Sequence, residues 1–311
     1  MSKGLSPLTR PIEGSTYPES LTGLGDDPRM GSLRFIGIVM AILVVTSQMI
    51  LVPVFNMLFV GVGYLLGLGG EDVESFFAAC QIFAVPWGIL SSHAALGMMI
   101  LIVWAYLRFI HRRGMRWLWS VSAGVRVRYA VVCALVSIPI IGAVAAYYWA
   151  TGPGWSPLPQ WGWFLVVVLI TTPFQALAEE VVFRGYLMQA LGSVVRNVWF
   201  PIIGTALVFA IFHGVQNPWL FGSRFVFGIL AGILVWRTGG LEAAVMIHII
   251  NNLFAFGLAI FMGNLVEIRT TTEVAWTQSL SDVVMFAVCA AACVGVAIAM
   301  RVPMRVGKPS I

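Results

Sequence analysis

Charge is what this chain has least of. Only 10% of its 311 residues are Asp, Glu, Lys or Arg, against 59% hydrophobic, and its mean hydropathy is +0.92. Soluble domains carry about 25% charged residues, so an ordinary soluble globule is excluded. Histidine and cysteine are scarce too, at four each. Cys80, Cys133, Cys289 and Cys293 all fall in apolar runs with no zinc-cluster spacing, and they read as small apolar filler. No His-Glu-x-x-His sequence occurs, and no fixed-period repeat. The short alternating segments of an outer-membrane barrel are also missing. The first 32 residues lack a basic stretch joined to a short apolar core and cleavage site, so they read as a polar tail, not a cleaved signal. The end Lys308-Pro309-Ser310-Ile311 carries no lipidation signal.

What the chain has is long apolar runs. Several exceed the 18 or so residues needed to cross about 30 Å of hydrocarbon as a helix. The expected fold is all-α, a polytopic membrane protein of about eight transmembrane helices near 34–67, 75–110, 128–150, 161–193, 199–214, 218–236, 240–263 and 279–302. A bend near Pro53 or Pro86 would absorb the excess length of the first two. The organisation expected is a polar cytoplasmic tail over 1–32, a membrane domain over 33–303 and a short cytoplasmic tail over 304–311.

The net charge of +5 does not point to nucleic acid, because the basic residues flank the helices. Arg112, Arg113, Arg116, Arg126, Arg196, Arg237, Arg301, Arg305 and Lys308 fall on one side. Opposite lie the acidic turn Glu71–Glu74, the chargeless loop 151–160 and the loop 264–278, with Arg269 its one cation. The positive-inside rule then places both termini in the cytoplasm of a multi-pass cell-membrane protein. Trp117, Trp119, Trp199 and Trp236 form the inner aromatic belt, and Trp149, Trp155, Trp161, Trp163, Trp219 and Trp276 the outer one.

Against this background a few polar residues stand out. Glu179 and Glu180 interrupt an apolar run where an uncompensated charge costs at least ~2.5–3.5 kcal/mol, so such residues are rare and usually functional. With a rise of ~1.5 Å per residue, Glu179 and His213 lie roughly 20 Å from the inner face, and His248 and Asn252 roughly 12 and 18 Å. Polar groups of three helices thus reach similar depths. Glu180 and Arg184 are i,i+4 and pair on one face, leaving Glu179 about 100° round the helix. His248 and Asn252 share a face, as do Phe209 and His213, so Phe209 walls a pocket around His213. The chemistry that uses such groups is water activation. A carboxylate in an apolar setting is a competent base near neutrality, an imidazole relays the proton, and a histidine and an amide donate to a developing oxyanion.

The segments Glu179-Glu180-x-x-x-Arg184, Phe209-x-x-x-His213 and His248-x-x-x-Asn252 resemble, in order and spacing, the three motifs of the CAAX protease and bacteriocin-processing family of intramembrane proteases, which includes the type II CAAX prenyl endopeptidases. The resemblance spans about 160–263; residues 1–125 carry no matching motif. It implies that Glu179 activates water with His213 as partner, that His248 and Asn252 stabilise the oxyanion, and that Glu180 with Arg184 supports them. It also implies eight transmembrane helices around a cavity open to the cytosol. The expected activity is that of an intramembrane endopeptidase cutting a membrane-associated protein or peptide, either a prenylated CAAX protein or a small peptide such as a bacteriocin or pheromone, with lipid as its other partner. Such families are often called metalloproteases. No metal is strictly implied here, and a zinc ion, if bound, would take Glu179, His213 and His248.

Other readings compete. Buried Glu and His also mark proton-coupled carriers, though no inverted repeat is visible and all the intramembrane polarity is in one half. A non-catalytic immunity or peptide-binding relative is a third reading. Bland roles fall to His93 (packed and hydrogen-bonded), His111 (solvated beside the basic loop), Asn251 (a helix-contact donor) and the close-packing pair Gly228 and Gly232. Arg224 receives no role.

Overall fold

The computed structural model describes residues 10–21, 30–70, 72–195, 197–214 and 216–308. Glu71, Arg196 and the remaining tail positions discussed above lie outside the described residues. The chain is an all-α polytopic membrane protein, with no strand among the described residues beyond two isolated bridges. Seven helices are long and apolar enough to span a membrane, and an eighth is shorter. Hydrocarbon offers no partner for a peptide group, so an apolar run satisfies its own backbone by coiling into a helix.

In chain order the helices are α1 (Met30–Leu65), α2 (Val73–Gln81), α3 (Pro86–Ala105), α4 (Arg116–Trp119), α5 (Val127–Thr151), α6 (Trp161–Glu180), α7 (Met188–Gly192), α8 (Trp199–Ile211), α9 (Pro218–Thr238), α10 (Glu242–Met262), α11 (Leu265–Thr270) and α12 (Trp276–Ala299). Two π-helical turns extend the series, Tyr106–Ile110 after α3 and Val181–Leu187 between α6 and α7. Side chains such as Ile42, Leu58, Leu135, Leu169 and Val284 stay exposed along the spans, as expected of a surface solvated by lipid.

Two spans differ from the sequence reading. The run 75–110 is broken at 82–85, where Phe83 takes φ 58° and Val85 is extended before Pro86. Proline drives its predecessor out of helical geometry and starts a new helix well. The run 199–214 forms only 13 residues of helix, about 20 Å at the usual rise. Gly214, at φ 82°, ends it, and Asn217 caps α9 by accepting from Leu220 N at 2.9 Å. The hairpin between α8 and α9 is thus compact, and His213 sits in it.

The aromatic residues separate by end. Trp155 stacks on Phe261 at 5.2 Å between centroids, close to Trp149 and Trp161. Trp199 and Trp236 pair at 6.4 Å. Phe261 closes α10 whereas Trp236 precedes its start, so the two clusters mark opposite ends of the bundle.

Part of the segment read as a polar tail is packed into the fold. Tyr17 is fully buried and its hydroxyl donates to Leu118 O. Gly14 N donates to Val306 O at 2.9 Å and Val306 N to Ser15 O at 3.0 Å, joining both ends of the described chain. Arg113, assigned above to a charged loop, is 7% exposed and donates to Leu21 O at 2.5 Å. His111 is also not simply solvated: its Nε2 lies 2.8 Å from Tyr186 Oη. Arg126 makes a bidentate pair with buried Glu242 through Nε (2.8 Å) and Nη2 (2.5 Å), and donates to Thr238 O at 2.7 Å. This clasp joins α5, α9 and α10 where α10 begins. An acid there also suits the helix dipole.

Candidate functional site

The polar residues meet where α6, α8, α9 and α10 pack together. Glu179 and Glu180 end α6, and the next seven residues, all buried, widen into the π-helical turn. Such turns are rare and concentrate at functional sites. Arg184 lies inside it yet keeps its i,i+4 contact, with Nη1 donating to Glu180 Oε1 at 3.0 Å and both side chains fully buried. The guanidinium lies 4.2 Å from the Phe209 ring centre and 5.2 Å from that of Phe227. These two faces supply cation–π attraction where no water can reach.

Glu180 also binds His248. The Nδ1 of His248 donates to Glu180 Oε1 at 2.8 Å, and its Nε2 lies 3.5 Å from Glu179 Oε2. A histidine of α10 therefore bridges the two adjacent acids of α6. Its ring stands edge-on to Phe227 and Phe209 at 5.1 and 6.3 Å. Aromatic walls and full burial thin out the water here, strengthening each of these interactions.

Glu179 is oriented from its own helix. Gln175, one turn earlier, donates from Nε2 to Glu179 Oε1 at 2.7 Å. The same Gln175 accepts from Asn252 Nδ2 at 3.0 Å through its Oε1. Asn252 accepts in turn from Asn251 Nδ2 at 3.2 Å, so Asn251 serves its neighbour rather than another helix. The Glu179 side chain retains 12% exposure and that of His248 6%, against none for Glu180 and Arg184. The accessible edge of the cluster is thus Glu179.

His213 is placed differently. It lies just past α8, exposed, with Nδ1 donating to Phe209 O at 2.8 Å and its ring 4.6 Å from that of Phe209. That bond leaves Nε2 free for another partner. Phe209 does wall this side as the spacing predicts, standing between His213, His248 and Arg184. The structure brings Glu179, Glu180, Arg184, His248 and Asn252 together through direct contacts or through Gln175, and it joins His213 to them through Phe209. Arg224 of α9 lies within electrostatic range of His213 and Glu179. His93 is buried and bonded to Thr171 Oγ1 at 2.8 Å, as a packed histidine should be.

The residues do not fit a zinc site. Among the described residues, no group of three or more His, Cys, Asp or Glu side chains is arranged to hold a metal ion. Nδ1 of His248 is taken by Glu180 and Nδ1 of His213 by Phe209 O. His213 meets the pair Glu179 and His248 only across the Phe209 ring, so the three are not gathered around one point.

Two members of the cluster were not foreseen from sequence. Phe227 had no signal beyond an apolar run. Gln175 had one, since it is polar, lies in the same run and precedes Glu179 by four residues.

Comparison with known proteins falls on the same segment. Residues 161–254 match the family described as Type II CAAX prenyl endopeptidase Rce1-like. The span contains every residue of the cluster, and it bears out the resemblance carried by the three motifs. The Uncharacterized protein YyaK of Bacillus subtilis (strain 168) is 32% identical over 99 residues, covering 30% of this chain and 33% of the relative. The match thus covers about a third of that curated relative's length. No solved structure matches.

Proposed function

We propose, from the match of residues 161–254 to the Rce1-like family, that the protein is an intramembrane endopeptidase that hydrolyses a peptide bond with activated water. The observation that carries the reading is the bridge of His248 across Glu179 and Glu180, beside the Asn252 amide. Glu179, the accessible acid, takes a proton from a water molecule whose oxygen attacks the scissile carbonyl carbon. The carbonyl π bond opens to an oxyanion. Asn252 donates to it through the N–H not used by Gln175, and His248 donates from Nε2 when that nitrogen is protonated. Preorganised donors of this kind stabilise charge that water would otherwise have to solvate. The oxyanion then collapses, the C–N bond breaks, and the proton held by Glu179 passes to the leaving nitrogen. His213, through its free Nε2, orients the water and shares that proton.

Glu180 and Arg184 set the direction of the base and the bridging imidazole. No step passes through a metal ion. The substrate is a membrane-associated protein or peptide, of the prenylated CAAX type by family likeness. The protein sits in the cell membrane with both termini on the cytoplasmic side, as its loop charges favour.

The test is a purified preparation in detergent or liposomes with a library of lipidated and hydrophobic peptides. Cleavage is expected, lost in Glu179→Ala and His213→Ala with the fold retained, and unaffected by a chelator. Undiminished cleavage in both variants rejects the mechanism, and solute uptake without proteolysis favours a carrier.

A further inference from the structure

We propose that Gln175 is a positioning residue of this site, the middle of an amide relay through which ionised Glu179 fixes the direction of the Asn252 amide. The proposal rests on the hydrolase reading above. Gln175, a residue of α6, is 7% exposed, and its side chain reaches Asn252 of α10. Its Nε2 donates to Glu179 Oε1 at 2.7 Å, and its Oε1 accepts from Asn252 Nδ2 at 3.0 Å. Asn252 Oδ1 accepts from Asn251 Nδ2 at 3.2 Å.

The direction of this chain follows from one charge. An ionised carboxylate only accepts, so Gln175 must turn its NH2 group toward Glu179. That turns its carbonyl toward α10, and a carbonyl also only accepts. Asn252 must then turn its NH2 group toward Gln175, and the Asn251 amide closes the chain by donating to the oxygen left behind. One N–H of Asn252 is held by Gln175, which leaves the other for the oxyanion. With an apolar residue in place of Gln175, only the Asn251 donation at 3.2 Å still opposes a half-turn of the Asn252 amide. Once turned, that amide would offer an acceptor to an oxyanion that needs a donor. Base and oxyanion donor, on different helices, are thereby kept in mutually correct states.

The test uses full-length protein in liposomes with a peptide that the library identifies as cleaved. Gln175→Leu removes both bonds at similar volume. A bond to a charged group at a catalytic carboxylate is lost, so kcat should fall about 10–100-fold while KM moves by less than about twofold. Gln175→Glu keeps the acceptor for Asn252 and, once its introduced carboxyl is protonated, also donates to Glu179. Two like charges side by side share a proton more readily as the pH falls. The activity maximum of Gln175→Glu should therefore lie at lower pH than that of the wild type. A tie between α6 and α10 that did not engage the Glu179 carboxylate would leave the shape of the pH profile unmoved. Should Gln175→Leu fail to fold, the Gln175→Glu profile decides alone, and an unshifted profile overturns the relay. Loss of cleavage in Glu179→Gln, with Gln175→Leu retaining kcat, overturns the relay and leaves the hydrolase standing. Cleavage undiminished in Glu179→Gln, or none by the wild type, overturns the hydrolase and the relay with it.

Discussion

His248 donates its Nδ1 proton to Glu180 at 2.8 Å, and by doing so turns its Nε2 toward Glu179, 3.5 Å away. The same Glu180 oxygen takes Arg184 Nη1 at 3.0 Å. Glu180 is thus a shared anchor, holding an imidazole from one helix and a guanidinium from its own.

A shared anchor separates stability from activity. Glu180→Ala leaves the Arg184 guanidinium buried without its carboxylate, which costs about 3–5 kcal/mol. Changing both residues to apolar ones of similar volume, as in Glu180→Leu with Arg184→Met, removes the unpaired charge and is close to neutral for stability by the same comparison. Thermal unfolding in detergent should rank the double variant well above Glu180→Ala. Cleavage should stay low in both, because His248 has lost its acceptor. Wild-type cleavage by the double variant would show that Glu180 does not orient His248.

The two adjacent asparagines should differ sharply. In the proposed mechanism Asn252 supplies a donor to the oxyanion, and removing one such donor typically lowers kcat by about 10²–10³. Asn251 only supports the Asn252 carbonyl, at 3.2 Å. Side-by-side kinetics should therefore show Asn252→Ala much slower than the wild type and Asn251→Ala within about tenfold of it, the loss of a single neutral hydrogen bond. Equal losses in the two would remove Asn252 from the oxyanion site.

A pH dependence of stability should arise away from the site, at His111. Burial, with the nearby Arg113 charge adding to it, lowers its pKa to about 4. In the unfolded chain a histidine titrates near 6.5. Between these values the unfolded state binds the proton and the folded state does not, so stability is fully present above about pH 6.5 and declines as the pH falls toward 4. Melting temperatures measured across that window should show the slope, and His111→Gln should flatten it. An unchanged slope in the variant would assign the acid sensitivity to another group.

Much of this was legible in sequence because the bilayer leaves few options. An apolar run must be helical, and i,i+4 spacing put Glu180 with Arg184 and Phe209 with His213 on common faces. What escaped depends on partners far apart in the chain or on the backbone itself. Glu242 finds Arg126 across 116 positions, and nothing in either neighbourhood announces it. Gln175 shows its partner Glu179 locally, but its second partner, Asn252, lies 77 positions on. The π-helical turn at Val181–Leu187 carries no local signal, since its residues would suit an ordinary helix equally well. The short α8 escaped for the opposite reason: hydropathy runs on through Phe212, whereas the helix ends at Ile211 and the chain turns at Gly214.

Close packing beside the buried guanidinium gives a last expectation. A Cβ at Gly228 would stand 2.7 Å from Ala206 Cα and 3.3 Å from Arg184 Nη2. The first of these is backbone and cannot swing away, so α9 must shift from α8. Overpacking of this kind costs about 1–3 kcal/mol, and the shift also loosens the Phe227 face over Arg184. Gly222, on the same helix, has nothing within 4 Å of its would-be Cβ. There an alanine should be neutral or stabilising by about 0.4–1 kcal/mol, by restricting the unfolded chain. Gly228→Ala should therefore unfold well before Gly222→Ala in the same detergent, with cleavage reduced in the first alone. A Gly228→Ala variant as stable and active as the wild type would mean that α8 and α9 do not meet at this glycine.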